Sequence, residues 1–89
     1  MAAYLLVRHK VRDFETWKSA YDAHRPKRDQ AGLTEEHLLR GASDANEVIL
    51  LFRTADIGRA KAFAESNDLR DTMTKAGVID RPDIYFLTG

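Results

Sequence analysis

The sequence predicts an α+β sandwich: a four-stranded antiparallel sheet with helices on one side, in the order strand, helix, strand, strand, helix, strand. Three observations predict it. Residues 3 to 11, 34 to 41, 47 to 54 and 84 to 87 are rich in strand-forming side chains. Between the first and second of these segments, and between the third and fourth, apolar residues recur at helical spacing behind a capping aspartate. The 89 residues are enough for one domain, spanning 1–89, and too few for a second.

The first strand leads to Asp13, an N-cap residue, and then to Phe14, Trp17, Tyr21 and His24 at intervals of three, four and three, which places an aromatic stripe on one helix face. Pro26 has no backbone N–H and disfavours helical geometry at Arg25, so the helix kinks or restarts there before ending near Ala31-Gly32. A second strand is expected from about Thr34 to Gly41. Ala42-Ser43-Asp44-Ala45-Asn46 supplies turn chemistry before the third strand, Glu47 to Thr54, so these two strands form a hairpin. Asp56 caps a helix that buries Ile57, Ala60, Phe63 and Ala64. Ser66-Asn67-Asp68 restarts a helix with Asp68 and Asp71 early, Lys75 late and Gly77 beyond its end, an order that suits the helix dipole. After Pro82, Ile84-Tyr85-Phe86-Leu87 forms the last strand. This succession is the split βαβ arrangement of ferredoxin-like folds.

In that arrangement the helices cover one face of the sheet. The third strand is apolar on both faces, with Val48, Leu50 and Phe52 on one and Ile49 and Leu51 on the other. The first strand repeats the pattern, with Leu5 and Val7 opposite Tyr4 and Leu6. No segment is left to form another layer, so the simplest cover is a second copy, giving a homodimer through the sheet faces.

Composition narrows the function. Fourteen Lys+Arg against fourteen Asp+Glu leave no cationic excess, so no nucleic-acid partner is expected. The longest apolar run, Val48 to Phe52, is far short of the roughly 20 residues that span a bilayer, so no membrane role is expected. The N-terminal apolar stretch breaks at Arg8-His9-Lys10 and has no basic leader, which reads as a strand rather than a signal peptide and places the chain in the cytoplasm. With no Cys there is no disulfide, thiolate metal site or thiol nucleophile.

Val11-Arg12-Asp13-Phe14, Trp17-Lys18, Tyr21-Asp22, His24, Arg28 and Ala31-Gly32, followed by Ser66, Leu69, Met73 and Ala76-Gly77-Val78, resemble the dimeric α+β-barrel superfamily over nearly the whole chain. The resemblance is greatest to its short bacterial members, the antibiotic-biosynthesis-monooxygenase-like and cyclase-like proteins. It implies a dimer, and an activity drawn from a superfamily of cofactor-free monooxygenases, isomerases, haem degraders and proteins of unknown role. The haem degraders carry an Asn on the first strand where this chain has Leu5, Leu6 and Val7, so it departs from that branch.

The histidines are the first chemical candidates. No His-x-x-x-His or His-Glu-x-x-His spacing occurs, so no metal is expected. His9 lies on the strand face shared by Leu5 and Val7. His37 lies on an edge strand, solvated or at the dimer contact. His24 extends the stripe of Trp17 and Tyr21 and is either one wall of a pocket or a helix-end residue bonded to a carbonyl. A cavity, if open, lies between the first helix, the Ser66-to-Ala76 helix and the sheet. Its expected catalytic groups are His24 and His9, and its expected ligand contacts are Trp17, Tyr21, Arg28, Phe52, Asn67 and Met73. The leading functional reading is a small-molecule-binding protein, a cofactor-free monooxygenase or an isomerase/cyclase acting on an aromatic or polyketide-like compound. A non-enzymatic stress-related binding module and a purely structural dimer remain open beside it.

Overall fold

The computed structural model describes residues 2–89. Strand β1 (Ala3–Lys10) leads into helix α1 (Phe14–Ala23), whose N-cap Asp13 accepts a hydrogen bond from the Thr16 N–H at 3.0 Å. The expected break comes at His24, two residues before the proline, and the short helix α2 (Arg25–Gln30) restarts with Pro26 in its first turn, where the missing N–H costs nothing. Gly32, at φ +77°, takes the left-handed conformation that ends this segment and feeds β2 (Leu33–Arg40). That strand begins and ends one residue earlier than the sequence predicted.

Strand β3 (Glu47–Thr54) forms the hairpin with β2. Asp56 then caps α3 (Ile57–Ala64) through the N–H groups of Gly58 and Arg59, and Ser66 caps α4 (Asn67–Lys75) through the Leu69 N–H at 3.2 Å. Gly77, at φ +92°, ends α4, and β4 (Asp83–Thr88) closes the sheet.

The strand order is β2-β3-β1-β4, with every neighbouring pair antiparallel. All four helices lie on one face. Under them Leu5, Val7, Val48, Leu50 and Phe52 of the two central strands join Trp17, Leu33, Ala60 and Ala76 in the core. Between Glu35 and His37 the β2–β3 register slips by one residue, a bulge that leaves Glu35 opposite Phe52 and pairs His37 with Leu51. His37 and Leu39 are thereby turned to the open face.

That face carries Tyr4, Leu6, Ile49 and Leu51 in the middle, with Leu39, Tyr85 and Leu87 exposed beside them. At one end of it Arg8 is held by three carboxylates, Asp83 at 2.8 Å, Glu47 at 3.0 Å and Asp80 at 3.1 Å. An apolar centre beside an ion-paired edge is the composition of an interface core and its rim. No helix among the described residues is long and apolar enough to cross a membrane.

Candidate active site

A cavity of about 70 Å³ lies between α1, α4 and the sheet. Its floor is built by β1 and β3, whose alternation sends Leu5, Val7, His9, Leu50 and Phe52 toward the helices. One wall is the α1 stripe of Trp17 and Tyr21, closed by His24 and Arg28. The opposite wall is α4, where Leu69, Thr72, Met73 and Ala76 follow one another at the spacing of a single helix face.

His9 is the chemically distinctive floor residue. It is 2% exposed, its ring lies 5.6 Å from that of Trp17, and neither ring nitrogen has a hydrogen-bond partner among the described residues. Burial lowers its pKa from 6.5 to about 4, so it is a neutral imidazole at physiological pH with both nitrogens unengaged. Buried polar groups are nearly always satisfied, and an exception calls for an explanation.

A stability consequence follows. Between about pH 4, the folded value, and 6.5, the value of an exposed imidazole, the unfolded chain binds a proton that the folded chain does not. Stability should therefore be fully present above about pH 6.5 and fall as pH drops toward 4, by about 3 kcal/mol in all. Urea melts across that window check this; a flat profile would mean that His9 charges as easily in the folded protein as in the unfolded chain.

Along α1 the rings continue from His9 to Trp17 and on to Tyr21, stacked on Trp17 at 4.8 Å and 20°. The Tyr21 hydroxyl donates to Glu35 at 2.6 Å, and burial together with that bond pushes its pKa well above the usual phenol value. The Arg28 guanidinium sits 3.6 Å over the Tyr21 ring, and its Nη1 donates to the Tyr21 carbonyl. Of Arg25, Lys27 and Arg28, only Arg28 turns inward; Arg25 and Lys27 are exposed.

His24 stacks on Phe63 at 5.8 Å, and its Nε2 meets Asp68 of α4 at 3.3 Å. Its side chain is 13% exposed, so it faces the cavity wall rather than bulk solvent. The contact ties the α1–α2 junction to the first turn of α4, a helix with no buried residue of its own.

Of the residues expected to meet here, His9, His24, Trp17, Tyr21, Arg28, Phe52 and Met73 all line the cavity, and Asn67 does not. Asn67 is exposed because Ser66 takes the capping role, leaving Asn67 at the first helical position, about 200° around the helix from Leu69 at roughly 100° per residue. The sequence reading missed Glu35 as the partner of Tyr21. Its place on the helix side is set by strand parity from Leu33, a signal present in the sequence. His37 is exposed on the open face, away from the cavity. Among the described residues, no group of three or more His, Asp or Glu is placed to hold a metal ion.

Several solved structures share this βαββαβ sandwich with a single helix-covered face over nearly their whole length. Among solved structures, a "putative antibiotic biosynthesis monooxygenase" from Bordetella bronchiseptica superposes with a TM-score of 0.78 at 13% identity, over 99% of this chain and 96% of that one. SnoaB, a cofactor-independent oxygenase from Streptomyces nogalater, superposes with a TM-score of 0.76 at 12% identity, over 99% and 92% of the two chains. Rv0793 from Mycobacterium tuberculosis gives 0.70 at 15% identity, over 100% and 95%. No family model matches the sequence, and no curated protein matches it.

Proposed function

We propose that the chain is a cofactor-free oxygenase of the SnoaB kind, taking a proton from an aromatic or polyketide-like substrate inside this cavity. The observation that carries the reading is the neutral, unpartnered imidazole of His9 on an otherwise apolar floor. A purely structural dimer gains nothing from such a group, which costs stability wherever it lacks a partner. The fold shared with a cofactor-independent oxygenase supports the same reading by analogy.

The chemistry runs through the substrate. His9 accepts a proton from an acidic C–H, leaving an enolate and an imidazolium. The enolate passes an electron to O2, and the two radicals join in a C–O bond. The peroxide anion takes a proton from the imidazolium, and loss of water from the hydroperoxide leaves a carbonyl. A base with a pKa near 4 is weak on its own. In the product ion pair, however, the adjacent enolate offsets the burial that disfavours the imidazolium, so the deprotonated substrate itself raises the basicity of His9. An apolar chamber also keeps water from the carbanion.

Size requires motion. An engineered apolar cavity that binds benzene has a volume of roughly 150 Å³, about twice the 70 Å³ present here. The yielding wall is α4, tied at its start by His24 and Asp68. Ala64, Met73 and Ile84 line both the cavity and the groove outside it, so the wall there is one side chain thick and closed by an adaptable methionine. His24, on this reading, holds the wall and closes the site over the substrate.

The partner we assign is a second copy across the open sheet face, and the compartment is the cytoplasm, where a cysteine-free chain has no disulfide to lose. An oxygen electrode tests the function. With an anthrone-type phenol the purified protein should consume one O2 per substrate at a rate well above buffer, and uptake equal to buffer across a panel of such phenols would overturn the reading.

A further inference from the structure

Among the described residues the cavity wall holds a single permanent charge, that of Arg28, and no carboxylate pairs with it directly. Arg28 is 8% exposed, and its one hydrogen bond among the described residues goes to the Tyr21 carbonyl. A guanidinium has five N–H donors, so most are left free. The nearby carboxylates are engaged elsewhere: Glu35 accepts from the Tyr21 hydroxyl, Asp22 is bonded to Lys18 at 2.7 Å, and Asp29 lies 3.8 Å from Arg25. All three line the polar groove on the outer side of Arg28, and no carboxylate lines the cavity on its inner side.

A largely buried cation without a direct ion pair is costly unless something completes it. Burial accordingly lowers the Arg28 pKa. The ring row gives the complementary shape. His9 stands 5.6 Å from Trp17, Trp17 stacks on Tyr21 at 4.8 Å, and Arg28 lies 3.6 Å over Tyr21, so imidazole and guanidinium occupy the two ends of one aromatic wall.

We propose that the site selects a monoanionic ligand: a flat aromatic or enolic body along Trp17, with one carboxylate, phenolate or enolate oxygen against Arg28 and the reacting carbon at His9. The inference rests on the reading of the cavity as a ligand site and adds the charge of the ligand and the residue that chooses it. Arg28 fits carboxylate geometry with its planar fork, which a lysine does not reproduce.

Three near-isosteric probes separate charge from shape: benzoate, benzamide and benzamidinium. Trp17 is the only tryptophan, so its indole N–H gives one cross-peak in a proton–nitrogen correlation spectrum and reports from the cavity wall itself. In the native protein benzoate should shift that peak with a Kd at least tenfold below that of benzamide, and benzamidinium should bind more weakly than either. Arg28→Met should bring benzoate to within twofold of benzamide, while Arg28→Lys should keep part of the preference. If Arg28→Met fails to fold, the native series and Arg28→Lys decide the matter. Equal binding of the three probes, or an anion preference surviving in Arg28→Met, would overturn the anion assignment and leave the cavity reading intact. No shift with any probe, with Trp17 otherwise well resolved, would overturn both.

Discussion

Replacing His9 with leucine should make the protein more stable and inactive at once. The two effects have one origin. The buried imidazole has no partner for either nitrogen among the described residues, and an unsatisfied polar group of that kind costs about 1 kcal/mol or more. Leucine fills similar space with no polar atom, so stability at neutral pH should rise by about 1 kcal/mol, or about 5 °C in Tm for a domain of this size. The gain should grow below pH 6.5, because the variant has no imidazole to charge on unfolding. Oxygen uptake should meanwhile fall by about a hundredfold or more, the usual contribution of a positioned base. Differential scanning calorimetry at pH 5 and 7.5, run beside the oxygen electrode, reads both effects. A destabilised variant that kept its turnover would show that His9 is an ordinary core residue with a partner.

The second large effect is expected from Leu51→Asp. Leu51 faces away from the helices and pairs across the sheet with Leu6 on one side and His37 on the other. A carboxylate there would be introduced twice in a symmetric dimer, each copy buried against apolar side chains without a partner. Dimer dissociation should strengthen by about a hundredfold or more, leaving a 10.1 kDa species at micromolar concentration. The helix-side core of Val48, Leu50 and Phe52 is untouched, so the far-ultraviolet circular dichroism should persist. Sedimentation equilibrium of the two proteins decides it, and a native chain that sediments only as a monomer would remove the second copy from the account.

The architecture was largely legible because local signals and global pattern agree. Strand β3 has the bounds the sequence predicts because Glu47 follows a turn and Thr54 comes just before the Asp56 cap of the next helix. The pocket wall was legible for the same reason: Trp17, Tyr21 and His24 share a helix face, and Leu69 and Met73 lie one turn apart. The bulge in β2 was not, since nothing in Glu35-Glu36-His37 marks an extra residue, and it decides that His37 joins the open face. Asn67 lies outside the cavity because a side chain two positions from Leu69 cannot share its helix face. The parity of β1 placed His9 inside, but its lack of any partner depends on what Trp17 and the opposite wall do not offer, and that is a property of packing alone. The inward turn of Arg28 likewise depends on the break at His24, which swings α2 so that one of its three basic side chains stacks on Tyr21.

The central claim is that His9 takes a proton from a carbon of the substrate, and this step can be measured apart from oxygen. An anthrone-type phenol is held with the protein in deuterated buffer without O2, and exchange of its acidic C–H is followed by proton NMR. The native protein should accelerate exchange well above buffer, and His9→Leu, folded and more stable, should return it to the buffer rate. Exchange that is no faster with the native protein than without it, or that survives in His9→Leu, would contradict the account.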